Sequence, residues 1–131
     1  MSRLHHLALG ARDVESLAAF YRGVLSLPEV LRQTEPDGRL RSVWLDLGGP
    51  ILMIERSSEP QRLVPGIGSG LFLLALLVSE AERERYELAL SAAGAPIEER
   101  TEHTTYSRDP EGNRIAVSAH PIVPAAPGSS R

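Results

Sequence analysis

Two ionisable side chains, His6 and Glu55, stand in apolar stretches where acid–base or metal chemistry could take place. His6 opens the run His-Leu-Ala-Leu, and an imidazole changes its charge near neutral pH, so it can transfer protons or bind a metal. Glu55 follows the apolar run 51–54, where a carboxylate can act as a general base. We predict His6 and Glu55 as catalytic residues. The alternatives are a structural strand histidine and a solvated carboxylate at the rim of a pocket.

The other three histidines are assigned no role in a site. Adjacent residues of a strand face opposite sides, so His5 and His6 are predicted not to form a chelating pair. His103 and His120 lie at the ends of predicted strands and are expected to be solvated.

Composition excludes several kinds of chemistry in this chain of 131 residues. Cysteine is absent, which excludes disulfides and thiolate sites, and all 14 basic residues are arginine, which excludes a Schiff-base lysine and a phosphate-loop lysine. A net charge of -3 and a pI near 5.8 predict no nucleic-acid partner. The longest apolar run, 71–78, is too short to span a bilayer, and the N-terminus lacks the apolar core of a secretory signal. We therefore expect a cytoplasmic protein with no membrane partner.

An internal repeat organises the chain. A shift of 67 positions places residues 6–9 on residues 73–76, and each half then carries a strand, a capped helix and three strands separated by turn residues. Asp13 and Ser79 are predicted helix N-caps, and Pro28 and Gly94 are predicted to end the two helices. The predicted strands are 4–11, 29–34, 40–47 and 51–55 in the first half and 71–78, 97–102, 104–108 and 114–119 in the second.

Each half is therefore predicted to be a βαβββ module that cannot bury both its helix and its sheet face alone. The expected fold is α+β, with two βαβββ modules in tandem forming a curved, incompletely closed mixed sheet with helices outside and a cavity inside. Residues 3–58 are predicted to form module one and residues 70–120 module two, together a single domain over 1–120. Residues 121–131, rich in Pro, Ala, Gly and Ser, are predicted to be a flexible C-terminal tail.

Strand alternation divides the strand residues between a helix-facing side and a cavity-facing side. The residues predicted to pack under the helices are Leu7, Leu9, Val43, Leu45, Leu52, Ile54, Leu74, Leu76, Ile115 and Val117. The opposite side is mostly apolar, which is typical of a small-molecule pocket. Its predicted ligand-binding residues are Trp44, Met53, Leu73, Tyr106 and Ala116. Trp44 could instead serve the core or a dimer interface, and Tyr106 could serve packing alone.

Several charged residues are predicted to be structural. Arg108 and Arg114 flank the turn 109–113, where they are expected to be solvated or paired with Asp109 rather than to bind an anion. The alternating run 82–85, which contains Arg83, is predicted to be a solvated helix face.

Residues 3–120 resemble the vicinal oxygen chelate superfamily, which includes glyoxalase I, bleomycin- and fosfomycin-resistance proteins and extradiol dioxygenases. The resemblance rests on the segment 6–9, the helix start at Asp13, the segment 20–27 and the turn 109–113 with the sequence Asp-Pro-Glu-Gly-Asn. Ser26 replaces the glycine usual at the end of the first helix, a position that another residue can adopt at modest cost. The resemblance implies a glyoxalase/bleomycin-resistance-like domain. Because a curved sheet leaves strand edges and apolar surface uncovered, we also expect a homodimer.

The resemblance further implies a cavity in which up to four His, Gln or Glu side chains hold a divalent metal that chelates two neighbouring substrate oxygens. Carried onto this sequence, those positions are His6, Met53, Leu73 and Ala116, so one ligand in four is retained. We therefore predict no cofactor. The alternative is a divalent metal (Zn, Mn, Ni or Fe) held by His6 and by Glu55, which a strand bulge would have to bring toward His6.

Three functions compete at this point. The first is binding of a small, largely apolar organic ligand in the sheet cavity without the full metal site, as in the bleomycin-resistance branch. The second is a lyase, isomerase or dioxygenase in which His6, Glu55 and a further ligand hold a metal, or in which one of the two shuttles protons. The third is an accessory domain whose cavity is filled by Leu73, Met53, Trp44 and Leu77. We rank them in that order, and the sequence leaves open whether a reaction is catalysed, which ligand is bound and whether the modules pair within a chain or between chains.

Overall fold

The computed structural model describes residues 1–122, and within them each half of the chain folds as the order βαβββ. The elements are β1 (His6–Ala11), α1 (Val14–Gly23), β2 (Glu29–Thr34), β3 (Leu40–Asp46), β4 (Ile51–Arg56), β5 (Leu74–Leu77), α2 (Glu80–Ala92), β6 (Glu99–Arg100), β7 (Thr104–Arg108) and β8 (Arg114–Ser118). The predicted C-terminal tail, 121–131, lies outside the described residues except for positions 121 and 122. The module and domain boundaries given above stay predictions.

The strands form two open sheets of four, one from each module. Sheet A has the strand order β1-β4-β3-β2 and sheet B the order β5-β8-β7-β6. The first and last strands of each module pair in parallel and the remaining neighbours pair antiparallel, so both sheets are mixed. The predicted α+β class with two tandem βαβββ modules is confirmed. Within residues 1–122 the strands of the two sheets do not hydrogen-bond to one another.

Three strands are shorter than predicted by two residues or more, because a strand extends only where a neighbour continues the ladder. The predicted strand 4–11 begins at His6, which lies opposite Ile51 at the start of β4. The predicted strand 71–78 forms only over Leu74–Leu77, where β8 pairs with it. The predicted strand 97–102 is reduced to Glu99–Arg100.

Both helices start at the predicted capping residues and α2 ends just before Gly94, but α1 ends at Gly23 rather than at the predicted Pro28. The Asp13 carboxylate accepts a hydrogen bond from the Ser16 amide at 3.0 Å at the start of α1. Ser79 and Glu82 form a reciprocal capping box at the start of α2. Ser26, which replaces the usual glycine, has a φ of 61° and so adopts the left-handed conformation that this turn requires.

The hydrophobic core lies between the helices and the sheets. All ten strand residues predicted to face the helices belong to it, six of them buried and Leu7, Leu9, Leu74 and Leu76 partly buried. Tyr21 and Leu17 of α1 are fully buried against sheet A. In the described part of the chain, neither helix has the length and apolar character needed to span a membrane.

The turn 109–113 connects the two modules. The Tyr21 hydroxyl of module one donates to Asp109 Oδ2 at 2.6 Å, and both groups are buried. Glu111 reaches back to module one, where its Oε1 accepts the Arg12 amide at 2.8 Å. Asp109 is therefore partnered by Tyr21 and by amides of its own turn, and the predicted pairing with Arg108 or Arg114 is wrong.

Arg83 of α2 is buried, so the prediction that it lies on a solvated helix face is wrong. Only 4% of Arg83 is exposed. Its guanidinium donates to Thr105 Oγ1 at 2.9 Å and to the carbonyls of Thr101, Glu102 and Thr104 at 2.7, 2.6 and 2.9 Å. The chain turns between β6 and β7, where the Thr104 carbonyl also accepts the Thr101 amide at 2.8 Å, and Arg83 supplies further donors to the carbonyls of this turn.

Candidate functional site

The side of sheet A that faces away from the helices carries an apolar row across all four strands. The strand register places Ala8 beside Met53, Met53 beside Trp44 and Trp44 beside Leu31. The Trp44 indole nitrogen donates to Ser42 Oγ at 2.9 Å, which orients the half-buried ring along the sheet surface. Trp44 and Met53, two of the predicted ligand-binding residues, are thus direct neighbours.

Sheet B presents the equivalent row in module two. The register aligns Ala75, Ala116 and Tyr106 across β5, β8 and β7. The Arg114 guanidinium lies 4.3 Å from the centre of the Tyr106 ring, a cation–π contact, and also lies 3.5 Å from the Glu99 carboxylate. Tyr106 and Ala116, two further predicted ligand-binding residues, are therefore neighbours on the corresponding face of the second sheet.

These two faces are open at their edge strands β1 and β5 within one chain, whereas Ala116 in the middle of the sheet B row is only 3% exposed. Ala8 and Ala75 are exposed, and Leu77 of β5 is 77% exposed. Leu73 is half-buried and stands directly before β5. A Leu77 side chain that is largely in solvent does not fill a cavity, so the accessory-domain alternative is not supported by this residue within a single chain.

The structure does not bring the two predicted catalytic residues together. His6 pairs with Ile51 and Glu55 pairs with Gly10, through an uninterrupted register between β1 and β4. A separation of four strand residues corresponds to roughly 13 Å along the sheet. No bulge brings Glu55 toward His6 in this ladder.

The side chain next to His6 is His5 and not Glu55. The Nδ1 of His6 lies 2.9 Å from the Nδ1 of His5, and the two rings meet edge to face with their centres 5.1 Å apart. The prediction that the two imidazoles point apart is wrong. Both histidines are exposed.

The four positions that the resemblance implies for a metal carry one side chain suited to a divalent cation. His6 offers an imidazole, but Met53 offers only a thioether and Leu73 and Ala116 offer no donor. Among residues 1–122, no group of three or more His, Asp or Glu side chains is placed to hold an ion. A hard or borderline cation requires more oxygen or nitrogen ligands than a single imidazole supplies.

Two clefts at the carboxyl ends of β1 and β4 were not predicted from the sequence. One has a volume of about 250 Å³ and lies between Ala8 and Gly10, the segment after β4, and Glu111. The adjacent one has a volume of about 500 Å³ and is lined by arginines of three separate segments. The arginines carry no motif, so sequence reasoning had only their positions at predicted strand ends as a signal.

The chain matches the Glyoxalase/Bleomycin resistance protein/Dioxygenase superfamily over residues 3–117. It therefore belongs to this superfamily, as the resemblance indicated. No curated protein matches the chain by sequence.

Similar solved structures include lactoylglutathione lyase from Agrobacterium tumefaciens, with 27% identity, a TM-score of 0.66, and coverage of 90% of this chain and 93% of that one. TioX from Micromonospora sp. ML1 has 24% identity and a TM-score of 0.68, with coverage of 91% and 99%. A mutant of the fosfomycin resistance protein FosX from Listeria monocytogenes, in complex with Mn(II) and 1S,2S-dihydroxypropylphosphonic acid, has 17% identity and a TM-score of 0.76, with coverage of 93% and 95%. The last two likenesses describe the fold alone.

Proposed function

We propose that this protein binds a small, largely apolar organic ligand between its open sheet faces, without the metal site of its superfamily. The observation that carries the proposal is the apolar row on each sheet, with Trp44 beside Met53 and Tyr106 beside Ala116. Apolar and aromatic side chains with few polar groups are typical of small-molecule sites. The donor set at the family metal positions supports binding through dispersion and stacking rather than through a cation.

A second copy of the chain is part of the proposal. Each open face leaves apolar groups in water, including Leu77 and Leu31, and a single chain does not cover them with its described residues. Burial of apolar surface favours association at about 25 cal/mol per Å². In a homodimer, sheet A of one copy would face sheet B of the other, and the ligand would lie between them. Light scattering is expected to give twice the chain mass.

A cytoplasmic location belongs to the proposal as well. It is supported by the absence of cysteine, since proteins of oxidising compartments commonly use disulfides.

The proposed function is tested by ligand-induced thermal stabilisation with neutral aromatic probes such as indole and 1-naphthol. We expect at least one probe to raise Tm in a saturable way, and the same shift in the presence of EDTA. Trp44→Leu should abolish the shift, whereas Tyr86→Leu, an aromatic position on α2 away from the open faces, should retain it. If EDTA removes the shift, or if Trp44→Leu leaves it unchanged, the proposal is wrong.

A second candidate is supported by the comparisons. The lactoylglutathione lyase from A. tumefaciens is 27% identical, and the FosX structure holds Mn(II), which favours a metal-dependent enzyme. In this alternative, His6, Glu55 and a further ligand outside the family positions would hold the ion, and Glu55 would have to move toward His6 along the β1–β4 ladder. Elemental analysis of protein purified without a chelator or an affinity tag decides between them: the alternative requires close to one metal per site, and a content below about 0.1 equivalent excludes it.

A further inference from the structure

We propose that Arg12, Arg39 and Arg56 form a binding site for the carboxylate or phosphate group of a small organic anion. The three side chains line one cleft of about 500 Å³ together with Ser57 and Ser58. The site lies at the end of sheet A, and none of its five lining residues belongs to the apolar rows. It goes beyond the proposed function and does not rest on it.

Three segments far apart in the sequence place these arginines together. Arg12 directly follows β1, and Arg56 ends β4 opposite Ala11 in the parallel ladder. Arg39 stands in the hairpin before β3, where its carbonyl accepts the Glu35 amide at 2.7 Å and its amide donates to the Asp37 carboxylate at 2.9 Å. The strand ladder and the tight hairpin hold the backbone of all three positions.

The positive charges of the cleft are incompletely balanced by the protein. Arg56 Nη2 lies 3.2 Å from Glu35 Oε1, while its Nη1 is buried without a hydrogen-bond partner. Within the described residues, the guanidinium groups of Arg12 and Arg39 have neither a hydrogen bond nor an ion pair. Arg32 binds Glu15 and Glu29, and Arg100 binds Glu87, whereas the exposed Arg3 and Arg62 have no ion pair within residues 1–122. What distinguishes Arg12 and Arg39 is that they converge on one cleft with Arg56. Three converging cations with a single paired carboxylate favour an anion between them.

The residue types define the class of ligand. Guanidinium groups present planar, paired donors that match carboxylate and phosphate oxygens, and serine hydroxyls add further donors. The Ser57 hydroxyl accepts a bond from the Glu59 amide at 3.1 Å, which leaves its hydrogen free to donate.

The neighbouring cleft indicates where the rest of such a molecule would lie. Arg12 and Ser57 line both clefts, and the smaller one, of about 250 Å³, continues past Ala8 and Gly10 of β1. A compact organic acid or phosphate ester can thus place its charged group on the arginines and its body against β1.

The test is an NMR titration of the ¹⁵N-labelled chain with inorganic phosphate, and separately with acetate, against sodium chloride at equal ionic strength. We expect saturable shifts of the Arg12, Ser57 and Ser58 amides with phosphate, acetate or both, and none with chloride. The tighter of the two anions identifies the preferred head group. Shifts that do not saturate with either anion would overturn the proposal.

Variants separate a built site from general attraction of anions. Arg12→Gln and Arg39→Gln, both exposed, should each weaken binding about tenfold, because each removes a charge-assisted pair of donors. Glu35→Gln should tighten binding several-fold, since it removes the competing carboxylate. Arg41→Gln is the matched control, because Arg41 is an exposed arginine of the same hairpin that donates to Gln33 and does not line the cleft. Equal weakening by Arg41→Gln, or unchanged affinity in Arg12→Gln and Arg39→Gln, would refute the site.

Discussion

Tyr21→Phe tests the connection between the modules with the least structural change. Tyr21 is fully buried, and its hydroxyl donates to Asp109 Oδ2 at 2.6 Å. The phenyl ring remains, so no cavity of consequence forms, and the loss is the hydrogen bond to a buried carboxylate. Hydrogen bonds to charged groups are worth about 1.5–3 kcal/mol, and for a domain of this size that lowers Tm by roughly 5–10 °C. Urea unfolding followed by circular dichroism measures the free energy directly.

Asp109, the partner of the Tyr21 hydroxyl, allows the energy of this one hydrogen bond to be measured separately. Asp109 also accepts bonds from Asn113 Nδ2 at 2.9 Å and from the Glu111 and Asn113 amides, so it keeps three donors in the variant. A double-mutant cycle with Asp109→Asn should give a coupling energy of about 1–3 kcal/mol. The control is Tyr86→Phe, where the hydroxyl has no hydrogen bond within residues 1–122. A loss below about 0.5 kcal/mol in Tyr21→Phe, or an equal loss in Tyr86→Phe, would refute the reasoning.

The same hydrogen bond has a consequence at alkaline pH. Burial, and then the charge of Asp109 and the hydrogen bond to it, raise the pKa of Tyr21 well above its ordinary value. A pKa raised by folding gives stability that is complete below the pKa of the unfolded tyrosine, about 10, and is lost as the pH rises above it. Wild-type stability should therefore fall above pH ~10 more steeply than that of Tyr21→Phe.

Two further predictions concern charged groups. Arg83→Met should destabilise the chain by about 3 kcal/mol in urea unfolding, because it removes the donor to Thr105 Oγ1 and to the carbonyls of Thr101 and Glu102. Arg85→Met, at an exposed helix position, should change stability by less than about 0.5 kcal/mol. Hydrogen bonds from the Gly49 and Gly48 amides lower the pKa of Asp46, so its contribution to stability is present above the pKa of the unfolded carboxyl and is lost as the pH falls. Thermal melts between pH ~5 and ~3 should therefore show a smaller loss of Tm in Asp46→Asn than in the wild type, and an identical pH dependence would contradict this.

The open sheet faces were predictable because strand alternation depends only on local geometry. A side chain two residues away lies on the same face whatever the strand pairs with, so Trp44, Met53, Tyr106 and Ala116 were assigned correctly to the side away from the helices. Which of them touch was decided by register. The pairs Trp44–Met53 and Tyr106–Ala116 result from the β3–β4 and β7–β8 ladders, and alternation alone does not set this alignment.

The two predicted catalytic residues, His6 and Glu55, also show that strand alternation does not determine strand register. Both residues lie on the cavity side by alternation, but the parallel register separates them by four positions. A parallel pair is joined through a long crossover, so no short hairpin connects the strands and the alignment of β1 with β4 follows from packing of the whole module. The sequence pattern contained no information on that alignment.

The prediction for Arg83 was wrong, and the arginine cleft was missed, for a related reason. Arg83 has charged neighbours on both sides, a pattern that indicates a solvated helix face, and only the turn between β6 and β7 supplies the carbonyls that bury it. Arg12, Arg39 and Arg56 are ordinary charged residues at strand ends and hairpins, and they form a cluster because the sheet brings those ends to one edge.

The sequence by itself determined the order of elements, the helix N-caps and the two faces of each strand. These features depend on residue type and on spacing over a few residues. Tertiary structure decided the strand registers, the buried hydrogen bonds of Tyr21 and Arg83, and the grouping of arginines, because each of these requires contacts between segments far apart along the chain.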